Sequence, residues 1–326
     1  MDHFRILGFG HAIVDILAKT SLSVIDQHQI QHGGMTLINH KQVKVLLNDL
    51  EFTLRAPGGS TANTIRYLAN LGHNTGFIGG IGDDDNGNYF KEMLSRSRIE
   101  IPEVCLIPET SNHFSVVCIT PESERSMATY INEKLAINSD MLKSNWLNAS
   151  EYMYIEAYLW NHDQSRESVL KAADMAFQHG KKIILTLADS ECIRANHKSI
   201  SDFCLQKARY VFGNHEEICM LMGTNHIDEA KYKCKQINQI TWIITEGKHG
   251  ACVINGMEYL HLPAVSVPKV VDKTGAGDFF AGGFIHGLLR SKSLQECGLS
   301  ASKAAAKVIQ QIGTGLPFKA NAPIQR

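Results

Sequence analysis

The sequence predicts an α/β protein: a doubly wound, mainly parallel sheet with helices on both faces and a small β lid. Three observations predict it. Short, nearly continuous apolar runs recur along the 326 residues and alternate with helix-like intervals. Such runs suit strands buried on both faces of a parallel sheet. Two stretches break that rhythm and alternate instead like small antiparallel strands. Small-residue turns lie where predicted strands meet predicted helices, the place where doubly wound sheets bind ligands.

The elements follow in order. Arg5–Gly10 reads as a first strand. Ile13–Thr20 and Gly34–Ile38 read as extended segments with no regular helix between them. Thr61–Leu71 reads as a Ser/Thr-capped helix closed by Gly72. Phe77–Ile81 is a strand and Gly87–Arg98 a helix. His113–Thr120 and Arg125–Ile131 alternate as a hairpin around Pro121-Glu122-Ser123. Tyr152–Ile155 is a strand, followed by a helix over Gln164–His179 that Gly180 ends. Lys182–Leu187, Tyr210–Phe212 and Trp242–Thr245 continue the parallel set. An extended apolar run, Ala264–Val271, then leads through a glycine turn into a helix over Phe279–Leu289. The expected organisation is one domain over 1–326, with a lid from about 13–56 and 107–131.

Composition narrows the function. Hydrophobic content of 44% and charged content of 20% exclude a disordered chain. A chain of about 300 residues buries roughly three quarters of its unfolded surface, so a large core is expected. The net charge of −1 gives no basic footprint, so no nucleic-acid partner is expected. No apolar run approaches the ~20 residues of a membrane span, so no membrane partner is expected either. Met1-Asp2-His3-Phe4-Arg5 lacks a signal-peptide pattern, which points to the cytoplasm. Eight cysteines are scattered without a CxxC pair and read as reduced, buried thiols.

The chemistry centres on Asp272-Lys273-Thr274-Gly275-Ala276-Gly277-Asp278. A small-residue turn opening a helix exposes backbone N–H groups and binds anions, phosphate above all. Phosphate would repel the terminal carboxylate, so Asp278 has to face something else, such as a hydroxyl that attacks the phosphate. The competing reading is a glycine turn with a helix-capping Asp. Pro57-Gly58-Gly59-Ser60-Thr61-Ala62-Asn63 lets a ligand approach backbone closely, and Asn63 can donate to and accept from a diol. An ordinary helix cap with a structural Asn reads equally well there. Gly213-Asn214-His215-Glu216-Glu217 follows a strand, with a capping Asn and acids that suit the helix dipole. Asp15 lies just past the first strand, where a solvated loop carboxylate is the plain alternative. Gly8-Phe9-Gly10 is followed by Ile13, so the dinucleotide fingerprint fails. Gly247-Lys248 continues to His249, so no Walker loop is present.

In combination these motifs have a familiar order. The chain resembles the ribokinase-like (PfkB) carbohydrate and nucleoside kinases from Arg5 to about Pro317. The resemblance rests on Asp15, Gly58–Asn63 with Ala69, Leu71 and Gly72, and Gly82-Asp83-Asp84 with Gly87. It continues through Asn214 and Glu217 to Gly275–Asp278. Within that family it is most similar to the bacterial adenosine-kinase-like members, through Gly34–Ile38, Glu124–Met127 with Thr129-Tyr130, and Tyr158-Leu159-Trp160.

The resemblance implies roles. Asp278 is the expected base, and Gly275, Ala276 and Gly277 the anion hole. Asp15, Gly59 and Asn63, with His11, Gly58 and Ser60, are expected around the acceptor's hydroxyls. Arg125 is expected to reach in from the lid, and Phe114, Tyr158 and Trp160 to offer an aromatic face to a base. Thr245, Gly247 and Gly250 are expected along ATP. Asn214 and Glu217 are expected to organise Mg²⁺, Glu217 through water. Whether a monovalent cation sits near Asp272 stays open, as does the choice between a monomer and a lid-mediated homodimer. The family pattern is broken at His11, His113-Phe114 and Lys273.

The implied activity is ATP-dependent phosphorylation of a hydroxyl on a small ribosyl or sugar acceptor, adenosine first. A ribose or fructose kinase is the alternative. A ligand-binding regulator without catalysis is disfavoured by the intact Gly275–Asp278 and Asn214/Glu217 motifs, and a nicotinamide dehydrogenase by the failed fingerprint. Fold alone separates none of these.

Overall fold

The computed structural model describes residues 4–120, 125–142 and 144–314. Met1–His3, the Pro121–Ser123 turn with Glu124, and the end near Pro317 lie outside the described residues.

The larger sheet has eight strands. Its order is Glu258–Leu262, Ala251–Asn255, Thr241–Thr245, Ala208–Asn214, Lys182–Thr186, Ser150–Glu156, Phe4–Phe9 and Thr75–Ile78. The last six run parallel, and the first two add an antiparallel edge. Ile6, Leu7, Met153, Ile155, Ile183, Ile184, Ile243 and Ile244 are buried, which explains the unbroken apolar runs. One core layer gathers Ile6, Ile65, Phe77, Phe212 and Phe284, and the opposite layer gathers Leu7, Met153, Trp160, Ile193 and Trp242. The sheet is thus covered on both faces.

A second sheet of five strands has the order Met35–Leu37, Arg125–Tyr130, His113–Ile119, Ile13–Lys19 and Glu51–Pro57. Its register places Ile13 beside His113, Asp15 beside Ser115, and Ser115 beside Thr129. Paired residues share a face. Asp15, His113, Ser115, Thr129 and Arg125 therefore lie on one face. Val14, Phe114, Val116 and Ala128 lie on the other and join the core.

The structure corrects several boundaries. Asp15 lies inside the strand Ile13–Lys19, within the extended segment expected there, so the plain loop alternative falls away. A short helix at Leu22–Gln27 fills the stretch where none was expected, and a second, His40–Asn48, follows the strand Met35–Leu37. Phe77–Ile81 divides after Ile78, and Ile81–Gly82 pairs instead with Leu106–Ile107. Ala264–Val271 is not a strand, and Val265, Val270 and Val271 are exposed. Pro263 and Pro268 cannot donate to a ladder, so the chain leaves the sheet at Leu262. All eight cysteines are free and buried, as expected of structural thiols.

Candidate active site

Two helix N-termini meet between the sheets. Gly275 precedes the helix Ala276–Leu289 with a left-handed φ of 74°. A Cβ there would also lie 2.4 Å from Cγ2 of Thr314, so only glycine fits. Asp278 sits in the first turn of this helix. It is turned outward: Oδ1 accepts from the Ser60 hydroxyl at 2.7 Å, and Oδ2 from Asn63 Nδ2 at 2.9 Å. The Thr64 hydroxyl donates to the Asp278 carbonyl at 3.1 Å. Burial raises the Asp278 carboxyl to about 6, against the lowering effect of Ser60 and Asn63 and with a further push from Glu156. A carboxyl tuned toward neutrality is suited to general-base work.

Beside it, a Cβ on Gly277 would meet nothing within 4 Å, so this side of the turn is open. Gly277 lies in the first turn, where N–H groups lack intrahelical partners. The Ala276 N–H is already engaged, donating to Lys273 O at 3.1 Å. Lys273 is exposed. The segment before the turn is held by Asp272, which accepts from Thr274 N–H at 2.9 Å and Gly313 N–H at 2.6 Å. Arg125 reaches over from the second sheet to Asp272 at 2.9 Å and donates to the Thr274 hydroxyl at 3.3 Å.

The partner helix, Ser60–Asn70, is capped by Gly59 and not by a hydroxyl. Gly59 has φ 86°, and a Cβ would fall 2.4 Å from the His11 carbonyl. Ser60 is thereby released from capping and serves Asp278. A Cβ on Gly58 would lie 2.4 Å from Oδ1 of Asp15, so this glycine lets the Asp15 carboxyl in. Burial first, and the nearby Asp278 second, raise Asp15 to about 7; Arg125 and Arg66 oppose this.

Glu156 was not singled out from sequence. It ends the strand Ser150–Glu156 and is 1% exposed. Oε2 accepts the Thr61 N–H at 2.9 Å, supplying the cap that Gly59 cannot. Oε1 accepts the His11 N–H at 2.9 Å and meets His11 Nδ1 at 2.8 Å. The carboxyl end of a parallel strand was the available signal.

On the far side, Asn214 and Thr245 are register partners at the carboxyl ends of adjacent strands. Asn214 caps the helix His215–Met222 and holds both Glu217 oxygens, from N–H at 2.9 Å and from Nδ2 at 2.8 Å. Burial raises Glu217 to about 7, with the Asn214 N–H opposing. Gly247 opens the short turn after Thr245, and Gly250 closes it. Among the described residues no three His, Cys, Asp or Glu side chains could together hold a metal ion.

Two aromatic expectations fail. Phe114 lies on the face opposite Asp15, packed with Tyr130 at 5.5 Å, because strand alternation turns it away. Trp160 is fully buried against Phe203 and donates to Ser199. Tyr158 is half-buried among Asp189, Glu156 and Glu217, its hydroxyl donating to Ala188 O at 3.2 Å.

A carboxyl near neutrality beside an open glycine turn at a helix N-terminus suits phosphoryl transfer to a small hydroxyl compound. The chain belongs to the pfkB family of carbohydrate kinases, whose model matches residues 19–321. It is an ATP-dependent kinase with an alcohol group as acceptor, as expected from sequence. A probable sugar kinase from Rhizobium etli is 30% identical, with a TM-score of 0.89, over 96% of this chain and 95% of that one. The adenosine kinase of Sinorhizobium meliloti is 29% identical, with a TM-score of 0.89 over the same shares. The aminoimidazole riboside kinase of Salmonella typhimurium is 27% identical over 81% of this chain and 86% of its own length. These likenesses confirm the ribokinase-like fold. Among the described residues no helix is long and apolar enough to cross a membrane.

Proposed function

We propose that the acceptor is a ribonucleoside, adenosine foremost, phosphorylated on its 5′-hydroxyl. The observation that carries this reading is the pair of carboxyls, Asp15 and Asp278, set against Gly58 and against Ser60 and Asn63, with Asp278 near enough to raise the affinity of Asp15 for protons. A furanose would lie between them, its diol on Asp15 and its 5′-oxygen toward Asp278. Asn63 Oδ1 is buried with no partner among the described residues, an acceptor that a sugar hydroxyl would satisfy. Relatives named for adenosine and for a riboside support a ribose with a planar base.

In the reaction Asp278 takes the hydroxyl proton as the oxygen attacks the terminal phosphorus of ATP. The bond from that phosphorus to its bridging oxygen breaks, and ADP leaves. The Gly277 side of the turn faces the transferred group. Mg²⁺ would neutralise phosphate charge. Glu217 suits it, because Mg²⁺ keeps most of its waters and takes few protein ligands. Thr245, Gly247 and Gly250 would flank the nucleotide. The second sheet is read as the lid, with Arg125 as its tie to the catalytic turn. A monovalent cation at Asp272 would have to displace Arg125, so no cation requirement is proposed.

A second reading, a smaller sugar, is favoured by one observation. Phe114 and Trp160, two of the three aromatics expected to meet a base, are packed elsewhere. The test is ADP release with adenosine, other nucleosides, ribose and fructose. Adenosine should exceed free ribose at least ~10²-fold in kcat/KM, since stacking adds roughly 1–3 kcal/mol and base-edge contacts add more. A ketose or aldose that outperforms adenosine would establish the sugar reading.

A further inference from the structure

The two histidines that break the family pattern occupy one place. His11 and His113 meet edge to face, with ring centroids 5.2 Å apart. His113 is 1% exposed and shares the lid face with Asp15. Each ring has one nitrogen fixed by its surroundings. Asn132 N–H donates to His113 Nδ1 at 3.0 Å. That nitrogen must be the acceptor, so the proton sits on Nε2. Burial, reinforced by the neighbouring His11, lowers His113 well below the ordinary value and keeps the ring neutral. His113 Nε2 is buried without a partner among the described residues.

His11 is fixed the other way. Oε1 of Glu156 can only accept, so His11 Nδ1 donates to it at 2.8 Å. When Nδ1 carries the ring's only proton, Nε2 is left to accept. One ring therefore offers a buried donor and its neighbour an acceptor. A hydroxyl is the small group that satisfies both at once. Leaving a buried N–H unpaired is costly, so the preference for such a group is strong.

We propose that His11 and His113 are specificity-determining residues that together hold one acceptor hydroxyl, with Glu156 as the positioning residue that sets the His11 tautomer. This rests on the acceptor-site reading above but not on the choice between nucleoside and sugar. The site thereby selects a polyol-bearing acceptor over its deoxy counterpart at one carbon.

The experiment uses whichever acceptor wins the wild-type panel, together with its monodeoxy series. That panel alone decides nucleoside against sugar. The wild type should lose at least about 10-fold in kcat/KM on one deoxy compound, in line with an unpaired buried donor. In His113→Phe that loss should shrink to about threefold or less, since the two changes remove the same contact. An unchanged loss in His113→Phe would overturn the proposal, as would a wild type indifferent to every deoxy compound. Should His113→Phe fail to fold, nitrogen NMR of selectively labelled wild-type protein at pH 8 decides. His113 should carry its proton on Nε2 and His11 on Nδ1, and saturating acceptor should move both Nε2 signals. Reversed tautomers, or rings unmoved by the acceptor, would sink the idea.

Discussion

Replacing Asp278 by Asn separates chemistry from architecture better than any other change in the site. The amide can keep both present contacts: its oxygen accepts from Asn63 Nδ2, and its NH₂ donates to the Ser60 hydroxyl after that hydroxyl rotates. The fold and ATP binding should survive. The base is gone, and kcat should fall by ~10²–10⁴. Stability should move the opposite way. Burial lifts the Asp278 carboxyl from its ordinary 3.8 to about 6. Ionising it in the folded protein at pH 8 therefore costs about 3 kcal/mol at most. The sign follows from proton uptake. Between pH 4 and 6 the unfolded chain ionises this group while the folded chain keeps its proton, so wild-type stability falls as pH rises. The Asn variant lacks that loss. Thermal melts should show it at least as stable as wild type at pH 8, with the gap closing toward pH 4. ADP release and melting on one preparation check both halves. Wild-type turnover would remove Asp278 from the mechanism. A variant clearly less stable than wild type at pH 8 would refute the burial argument.

The remaining expectations concern the surroundings. Asp15→Ala should raise the acceptor KM far more than the ATP KM; equal changes would assign Asp15 to structure instead. The pH profile of kcat/KM should fall on its acid side with an apparent value between about 6 and about 7, because Asp278 and Asp15 are raised to about 6 and about 7 and must ionise to work. That value belongs to the coupled pair, and a profile flat from pH 8 to pH 5 would contradict it. Arg125→Ala strands the buried Asp272 carboxylate and should lower stability by about 3–5 kcal/mol. In wild type, exchanging potassium for choline should leave turnover unchanged, and a strict potassium requirement would contradict that expectation.

The sequence was most legible where local chemistry and tertiary structure agree. The parallel strands read directly because burial on both faces leaves no polar alternation, as at Ile183–Leu185 and Trp242–Ile244. Asp278, Asn63, Asn214 and Glu217 stand out in the sequence because small-residue turns and helix starts announce themselves, and Asp15 because it follows the first strand. Glu156 does not, because its partners are backbone N–H groups at His11 and Thr61, distant in sequence and invisible to any local pattern. Phe114 was misplaced for a related reason: alternation says that it opposes His113, but not which of the two faces the site. Only the register with Asp15 decides that. Ala264–Val271 misled because apolar character was taken for pairing, while its prolines deny the ladder a donor.

The division of labour around Asp278 explains why the site draws on such scattered residues. A buried carboxyl near neutrality needs donors strong enough to keep it usable and too few to lock it ionised. Ser60 and Asn63 supply two, both side chains, both from another helix. Their helix cannot use Ser60 as its own cap without taking one of them away. Gly59 therefore caps it poorly, and Glu156 donates no proton but receives the Thr61 N–H in its place. Glu156 in turn adds negative charge that pushes Asp278 further toward protonation. The carboxylate that completes the helix and meets His11 thus also helps to set the basicity of Asp278, the proposed base, so a change at Glu156 should not be read as structural alone.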